Sequence, residues 1–489
     1  MTDAASGAAS LRFGTPAGRW VIAAAVLGSG VAFLDSTVVN AALPAIGSDL
    51  HAGLADLQWV LTAYLLTLGS FLVVGGSLGD RYGRRKLFVI GLVGFAAASA
   101  LCGAAPSIGV LIAARAVQGV AAALLVPESL AIISASFHPD DRGRAIGAWS
   151  GLGGVATAGG PFLGGWLIDT VSWRLVFFIN LPLVAAAVAI ALRHVPETRD
   201  EDAPPHLDVP GALLLAGGLA GVVYALIEGP SKGWPTSSVL LGVAGVFALV
   251  SWVVVERRVA HPMVPLDMFK SRQFSGANAV TFAIYGAFGA TTFLLVVHLQ
   301  TDLGYSALAA GASIIPATVL MLLFSARSGA LAQRIGPRMQ MTVGPLVTAI
   351  GIALLARVEP GRSYWDSVLP AMIVIGIGIT TTVAPLTAAV LAAVDDHHAG
   401  LGSAVNNAVA RIASLVAIAV LPALAGISTA GGSLNEGFGT AMGIAAGVCA
   451  VGGVLGFVTI RRSAPVRAVT RGDLFSACED PCVRLERAS

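Results

Sequence analysis

Residues 76–91 read GSLGDRYGRRKLFVIG, and residues 329–344 read GALAQRIGPRMQMTVG. The second stretch repeats the glycine and arginine spacing of the first at an offset of about 253 residues. Each follows the second apolar run of a group of six. A bilayer span needs about 20 apolar residues. Such runs lie at 20–44, 57–78, 87–105, 109–134, 145–168, 174–192, 209–228, 237–255, 274–299, 308–326, 341–357, 367–393, 403–426 and 438–460. The repeated loops divide these fourteen runs into six, two and six. The expected fold is an all-α membrane protein with a cytoplasmic tail (1–19), an N-terminal six-helix bundle (20–192) and a cytoplasmic linker (193–208). Two inserted central helices (209–255), a cytoplasmic loop (256–273), a C-terminal six-helix bundle (274–460) and a cytoplasmic tail (461–489) complete it. The linker RHVPETRDEDAPPHLD is polar and Pro-rich, as a tether should be. Weak internal symmetry of this kind marks secondary transporters built from repeated bundles.

Composition demands a bilayer. Hydrophobic residues make up 56% of the 489 and charged residues 11%, against about 25% charged in soluble domains. A water-facing skin cannot be built from so few charges, so lipid must cover much of the surface. The 59 glycines agree, since spanning helices use glycine freely. A net charge of +2 gives no reason to expect nucleic acid as a partner. Cys102 and Cys449 lie in apolar runs and read as core residues. Cys478 and Cys482 lie in the polar tail with no histidine near, so no metal site is expected. The first run is too long for a signal segment, and no small-residue cleavage site follows it, so it is read as retained. With the N-terminus inside, about 22 of the 29 Lys and Arg fall on the cytoplasmic side and about four outside (Arg174, Lys232, Arg357 and Arg362). Both termini are then cytoplasmic.

Ionisable groups within a span are costly unless paired or wet, and each is a functional candidate. Asp35 lies roughly 22 Å from the inner surface, at 1.5 Å per residue. Arg115, on a helix running the other way, lies about 21 Å from it in a 30 Å core. Burial opposes the charge on Asp35 and Arg115 favours it. A carboxyl group balanced between the two can load and release a proton near neutral pH. A static ion pair holding two helices together is the competing reading. Glu128, beside Pro127, reads either as a second proton or substrate carboxylate or as a group snorkelling to the cytoplasmic edge. Arg411 has Asn407 one turn before it. No carboxylate lies deep in the last six helices, so Arg411 is expected to meet carbonyls, Asn407 or water in a polar network.

The loop Gly79–Arg85 allows a tight turn at its glycines. Asp80 is placed to meet a helix N-terminus, and Arg81, Arg84 and Arg85 to pair with acidic groups or anionic lipid. Such a set forms a latch that breaks when the halves rock; the bland reading is that the arginines only fix topology. The fifth helix carries Gly151, Gly153, Gly154, Gly159, Gly160, Pro161, Gly164 and Gly165. Small residues permit close helix approach and Pro161 permits a bend, so this helix reads as a pivot.

These residues resemble the major facilitator superfamily, in its fourteen-helix drug:proton antiporter branch, over about residues 20–460. Gly76, Asp80, Arg81, Gly83, Arg84 and Arg85 match the superfamily's helix two–three motif. LDSTVVNAALP (34–44), which includes Asn40, matches the branch's first-helix motif. Arg115, Gln118 and Gly119 match the fourth-helix motif, whose arginine the family links to proton movement. Gly159, Gly160, Pro161, Gly164 and Gly165 match the fifth-helix motif of exporters. Trp173, Arg174, Phe177, Asn180 and Pro182 match the start of the sixth helix. Three departures stand out: Gln333 where the family often has Asp; Ile412, Ala413 and Ser414 where a glycine pair is common after Arg411; and second-half helices with no deep carboxylate, a feature that argues against a preference for dications. The polar network is assigned to Asn40, Gln118, Asn406, Asn407 and Arg411.

The resemblance implies proton-coupled export of small lipophilic compounds across the plasma membrane by alternating access. It implies a monomer whose coupling ion is the proton, with no cofactor. An importer is the first alternative, and the fifth-helix motif argues against it. A sensor or scaffold is the second; the short termini offer it no output domain. No enzyme signature is present, and His397–His398 read as a solvated turn.

Overall fold

The computed structural model describes residues 11–200, 208–259, 262–394, 399–427 and 434–461. Residues 201–207 of the linker, Asp395 to His398, and the tail cysteines Cys478 and Cys482 lie outside these. Fourteen long helices are found: α1 Pro16–Leu50, α2 Leu54–Tyr82, α3 Arg84–Gly103, α4 Ile108–Ser136, α5 Pro139–Thr170, α6 Leu175–His194, α7 Val209–Ser231, α8 Thr236–Glu256, α9 Arg272–Thr301, α10 Ala307–Ile335, α11 Pro337–Leu355, α12 Val368–Leu391, α13 Ala399–Leu424 and α14 Asn435–Thr459. Turns at Ile179 and at Ser313–Ile314 interrupt α6 and α10. Thirteen of these helices are long and apolar enough to cross a membrane. The exception is α5, whose hydropathy is diluted by its glycine stripe and by Asp140, Asp141, Arg142 and Arg144. Helices are the form that lets such apolar runs satisfy their own backbone groups in lipid.

The repeat is visible in the packing. In the first bundle α1 packs on α5 and α6, α2 on α4, and α3 on α4 and α6. In the second, α9 packs on α13 and α14, α10 on α12, and α11 on α12 and α14. Each pair in one bundle has its counterpart eight helices later. The duplicated loops repeat in detail. Gly83 (φ +109°) and Gly336 (φ +83°) end α2 and α10 in a conformation that side chains disfavour. Arg85 Nη1 donates to the carbonyl of Val195, just past the end of α6. Arg338 Nε donates to the carbonyl of Phe457, in the last turn of α14. The same arginine thus satisfies open carbonyls at the end of the sixth helix in both bundles.

The inserted pair is asymmetric. α7 packs on α2 and on α13, and so touches both bundles, while α8 packs on α7. Trp59 Nε1 on α2 donates to Glu228 on α7 at 3.0 Å. α8 leaves Leu240, Val243, Phe247 and Val250 exposed, as a lipid-facing helix does.

Among the described residues four hydrogen bonds join the bundles, all away from the Arg-rich face that holds the duplicated loops. The Asp169 carboxylate at the end of α5 accepts from the Ala307 and Leu308 backbone N–H groups that start α10, at 3.0 and 2.9 Å. Gln300 on α9 donates to Ala41 O on α1 at 3.0 Å. Gln58 on α2 donates to Ile418 O on α13 at 2.6 Å. Toward the Arg-rich face a cavity lies between the bundles instead.

Candidate functional site

Close packing of α2 on α4 sets up the first cluster. A side chain on Gly75 would run into Ala123 O, and one on Gly119 into Tyr64 O and the Thr67 hydroxyl. The helices therefore approach closely, and Arg115 on α4 reaches across to α1. Its Nη1 donates to Asp35 Oδ2 at 2.5 Å and to Gln118 Oε1 at 2.7 Å, and its Nε to Val60 O at 3.2 Å. The guanidinium also lies over the Tyr64 ring, 4.3 Å from its centroid. Asp35 Oδ1 accepts from Gln118 Nε2 at 3.0 Å and from Asn180 Nδ2 at 3.1 Å. Asn180 is positioned in turn by Ser99, which accepts from it at 2.9 Å and donates to Phe177 O at 2.8 Å. Asp35 is 1% exposed, and Arg115, Gln118, Asn180 and Ser99 are 0% exposed. The matched depths of Asp35 and Arg115 correspond to a direct ion pair, and Gln118 joins it. Ser99 carried no sequence signal, and Asn180 only that of the sixth-helix motif.

The cavity lies on the other side of the same helix. A space of about 260 Å³ is lined by Phe33, Tyr285, Thr387, Ser403, Asn406, Asn407 and Arg411, among others. Thr387, Leu391 and Asn407 are exposed there although they sit within helices. A second space of about 120 Å³ is lined by Thr37, Asn40, Pro161, Phe288, Thr292 and Met321, among others. Thr37 lies one turn beyond Phe33 on α1, and Phe288 one turn beyond Tyr285 on α9. The two spaces therefore follow one another along the seam. α1 presents Phe33, Thr37 and Asn40 to the seam and Asp35 to the bundle interior.

The sequence-assigned polar network is not one network. Gln118 belongs to the Asp35 cluster. Asn406 donates to Asn278 Oδ1 and Thr281 Oγ1 at 3.0 and 2.7 Å. Asn40 and Asn407 donate to Ser36 O and Ser403 O on their own helices. Arg411 meets neither Asn407 nor a carbonyl: its guanidinium has no hydrogen bond or ion pair among the described residues.

Glu128 does not snorkel. It is 0% exposed, and neither carboxyl oxygen has a hydrogen-bond partner. It fills the space beside Gly79, where a side chain would collide with its carboxyl group. Gly76 makes an ordinary contact with Pro127. The latch also differs from expectation. Asp80 lies beside the start of α3 but accepts from no backbone N–H there among the described residues; the side chain of Arg84, the first residue of α3, donates to it at 2.6 and 2.9 Å. Arg85 pairs with Glu197 at 3.6 Å, and the backbone of Arg84 bonds Thr198 O at 2.9 Å. This loop is tied to the linker after α6. Arg81 stacks on Tyr82 at 5.2 Å.

The α5 glycines divide by neighbour. Side chains on Gly160 and Gly164 would strike Thr37 and Val38 of α1, and one on Gly165 would strike Leu308 of α10. Gly154 is only in van der Waals range of Leu322, and Gly159 has open space around it. Pro161 backs onto Gly311 of α10. No group of metal-binding side chains occurs among the described residues.

Two repeated six-helix bundles around a central cavity define a membrane transporter of the repeated-bundle type. Residues 25–418 match the Major Facilitator Superfamily, and the chain belongs to that superfamily. Similar proteins include the puromycin resistance protein pur8 of Streptomyces alboniger, 39% identical over 416 residues (82% of this chain and 81% of the relative). The tetracenomycin C resistance and export protein of Streptomyces glaucescens is 34% identical over 392 residues (80% and 73%). The fold also matches the crystal structure of the peptide transporter POT in complex with sulfate, with a TM-score of 0.67 at 13% identity, covering 91% of this chain and 94% of that one.

Proposed function

We propose that this chain is a proton-coupled antiporter that exports small lipophilic drugs, antibiotics or metabolites from the cytoplasm. It acts in the plasma membrane as a monomer with both termini inside, and its coupling ion is the proton, with no cofactor. The carrying observation is that α1 holds the buried Asp35–Arg115 pair on one side and lines the seam cavity on the other. A change in the charge of Asp35 is then felt by the helix that contacts substrate. The resistance and export functions named for the relatives support the direction of transport.

In the arrangement described, the Arg-rich face, read as cytoplasmic, has the open cavity and Asp35 is ion-paired. This is the state that has given its proton to the cytoplasm and can take substrate from the cytoplasm or inner leaflet. Rocking of the bundles would part Asp169 from α10 and open the other side. There Asp35 takes a proton and the substrate leaves. Glu128, unpartnered in apolar surroundings where an ionised carboxylate is costly, is a second group proposed to carry a proton. Everted vesicles with an acidified lumen test this reading. Addition of substrate should release lumenal protons; no substrate-dependent proton efflux would overturn it.

A further inference from the structure

We propose that Arg411 is the docking point for an anionic group on the cargo. The cargo class is then a small amphiphile with an apolar body and one carboxylate, phenolate or sulfonate. This deepens the export reading above and rests on it for the word cargo, but the binding site stands on its own geometry.

Arg411 lies about 18 Å along α13 from Ala399, and it lines the larger cavity. A guanidinium at such depth ordinarily finds a carboxylate, as Arg115 does. Arg411 has none. Among the described residues, neither cavity is lined by an aspartate or glutamate. In the second bundle the described acids Asp267, Asp302, Glu359 and Asp366 sit at helix ends or in loops. Asp35, on the bundle-interior side of α1, is already occupied by Arg115, Gln118 and Asn180. The neighbours of Arg411 in the cavity wall are neutral: Ser403, Asn406, Asn407, Ser414 and Tyr285. This leaves a planar, five-donor cation without an acceptor among the described residues, facing a space open to the Arg-rich side. Such a group pairs well with carboxylates and other oxyanions. One turn further along α1 and α9 the lining becomes apolar, with Phe288, Val296, Met321 and Ile379. A head at Arg411 and a body among these residues describe an amphiphilic acid.

The test uses purified full-length protein in a neutral detergent and matched ligand pairs on one ring system. One pair is 1-anilinonaphthalene-8-sulfonate against N-phenyl-1-naphthylamine; another is 2-naphthoic acid against its amide. Thermal stabilisation titrations give an affinity for each member. Wild type should prefer the acid by about tenfold or more. Arg411→Gln should bring that ratio near one, and Arg411→Lys should retain part of it. Equal affinities in the wild type, a preference surviving in Arg411→Gln, or no stabilisation by any acid would each overturn the proposal. Gradient-driven uptake into everted vesicles separates it from the export reading. Arg411-dependent binding without gradient-driven flux defeats export and leaves this site standing. Flux of neutral compounds with no preference for acids does the reverse.

Discussion

Asp35 accepts hydrogen bonds from Arg115, Gln118 and Asn180 while almost wholly buried. Replacing it by asparagine keeps the shape and removes the titratable group. Asp35→Asn should insert and fold yet lose proton-driven efflux by roughly a hundredfold or more, the low end of what a missing proton-transfer group costs. Gradient-driven efflux at the wild-type rate would refute the coupling role. Asn180→Ala tests the cluster as structure. It strips Asp35 and Ser99 of a shared buried donor and should cost about 1–3 kcal/mol, read as a lower Tm in detergent. An unchanged Tm would show that the cluster is not tightly held. Helix rise and alternating direction made the depth agreement of Asp35 and Arg115 legible in the sequence. Direction around the helix axis was not legible for neutral polar residues, which is why Ser99 was missed and why Asn40, Asn406 and Asn407 were grouped together.

At the scale of the helix, α5 is a wedge with two tight faces. Gly160 and Gly164 admit α1, and Gly165 admits α10. Gly165→Leu should push α10 away and impair transport, because nothing flexible stands opposite to give way: a side chain there meets the Leu308 backbone. Gly159→Ala, with open space around it, should leave efflux within about twofold of wild type, since it adds one methyl to an unobstructed site. Equal damage from both changes would refute the division of the stripe. The stripe was plain in the sequence, but which glycine serves which neighbour depends on tertiary contacts. The arginine loop shows the same limit. Its repeat at residues 329–344 was readable, yet its partners Glu197 and Thr198 lie in a linker whose path no local pattern encodes. α7, left without a role by the sequence, packs on both α2 and α13 and so covers that seam.

At the scale of the whole molecule, closure on one side rests, among the described residues, on four hydrogen bonds made by Asp169, Gln58 and Gln300. None was foreseen, because bundle-to-bundle contacts made by ordinary residues at helix ends have no sequence signature. The six-plus-two-plus-six order was legible, because duplicated loops and apolar runs are one-dimensional signals. Asp169→Ala removes the acceptor of the Ala307 and Leu308 N–H groups, leaving Ser306 as the cap of α10, and should shift the population toward opening on that side. In a Thr37→Cys background, a membrane-impermeant maleimide applied from that side should label faster once Asp169 is replaced. Unchanged labelling would rule out Asp169 as a closing contact.

The cavity around Arg411, lined by no acid among the described residues, has an electrical consequence. A transporter that trades one entering proton for one departing monoanion moves two positive charges inward per turn. The membrane voltage then drives both halves of the exchange, contributing about 2.3 kcal/mol per charge at 100 mV. One pH unit contributes only about 1.4 kcal/mol per proton. With such a cargo the machine is chiefly voltage-powered, and it keeps exporting in cells whose surroundings are no more acidic than their interior.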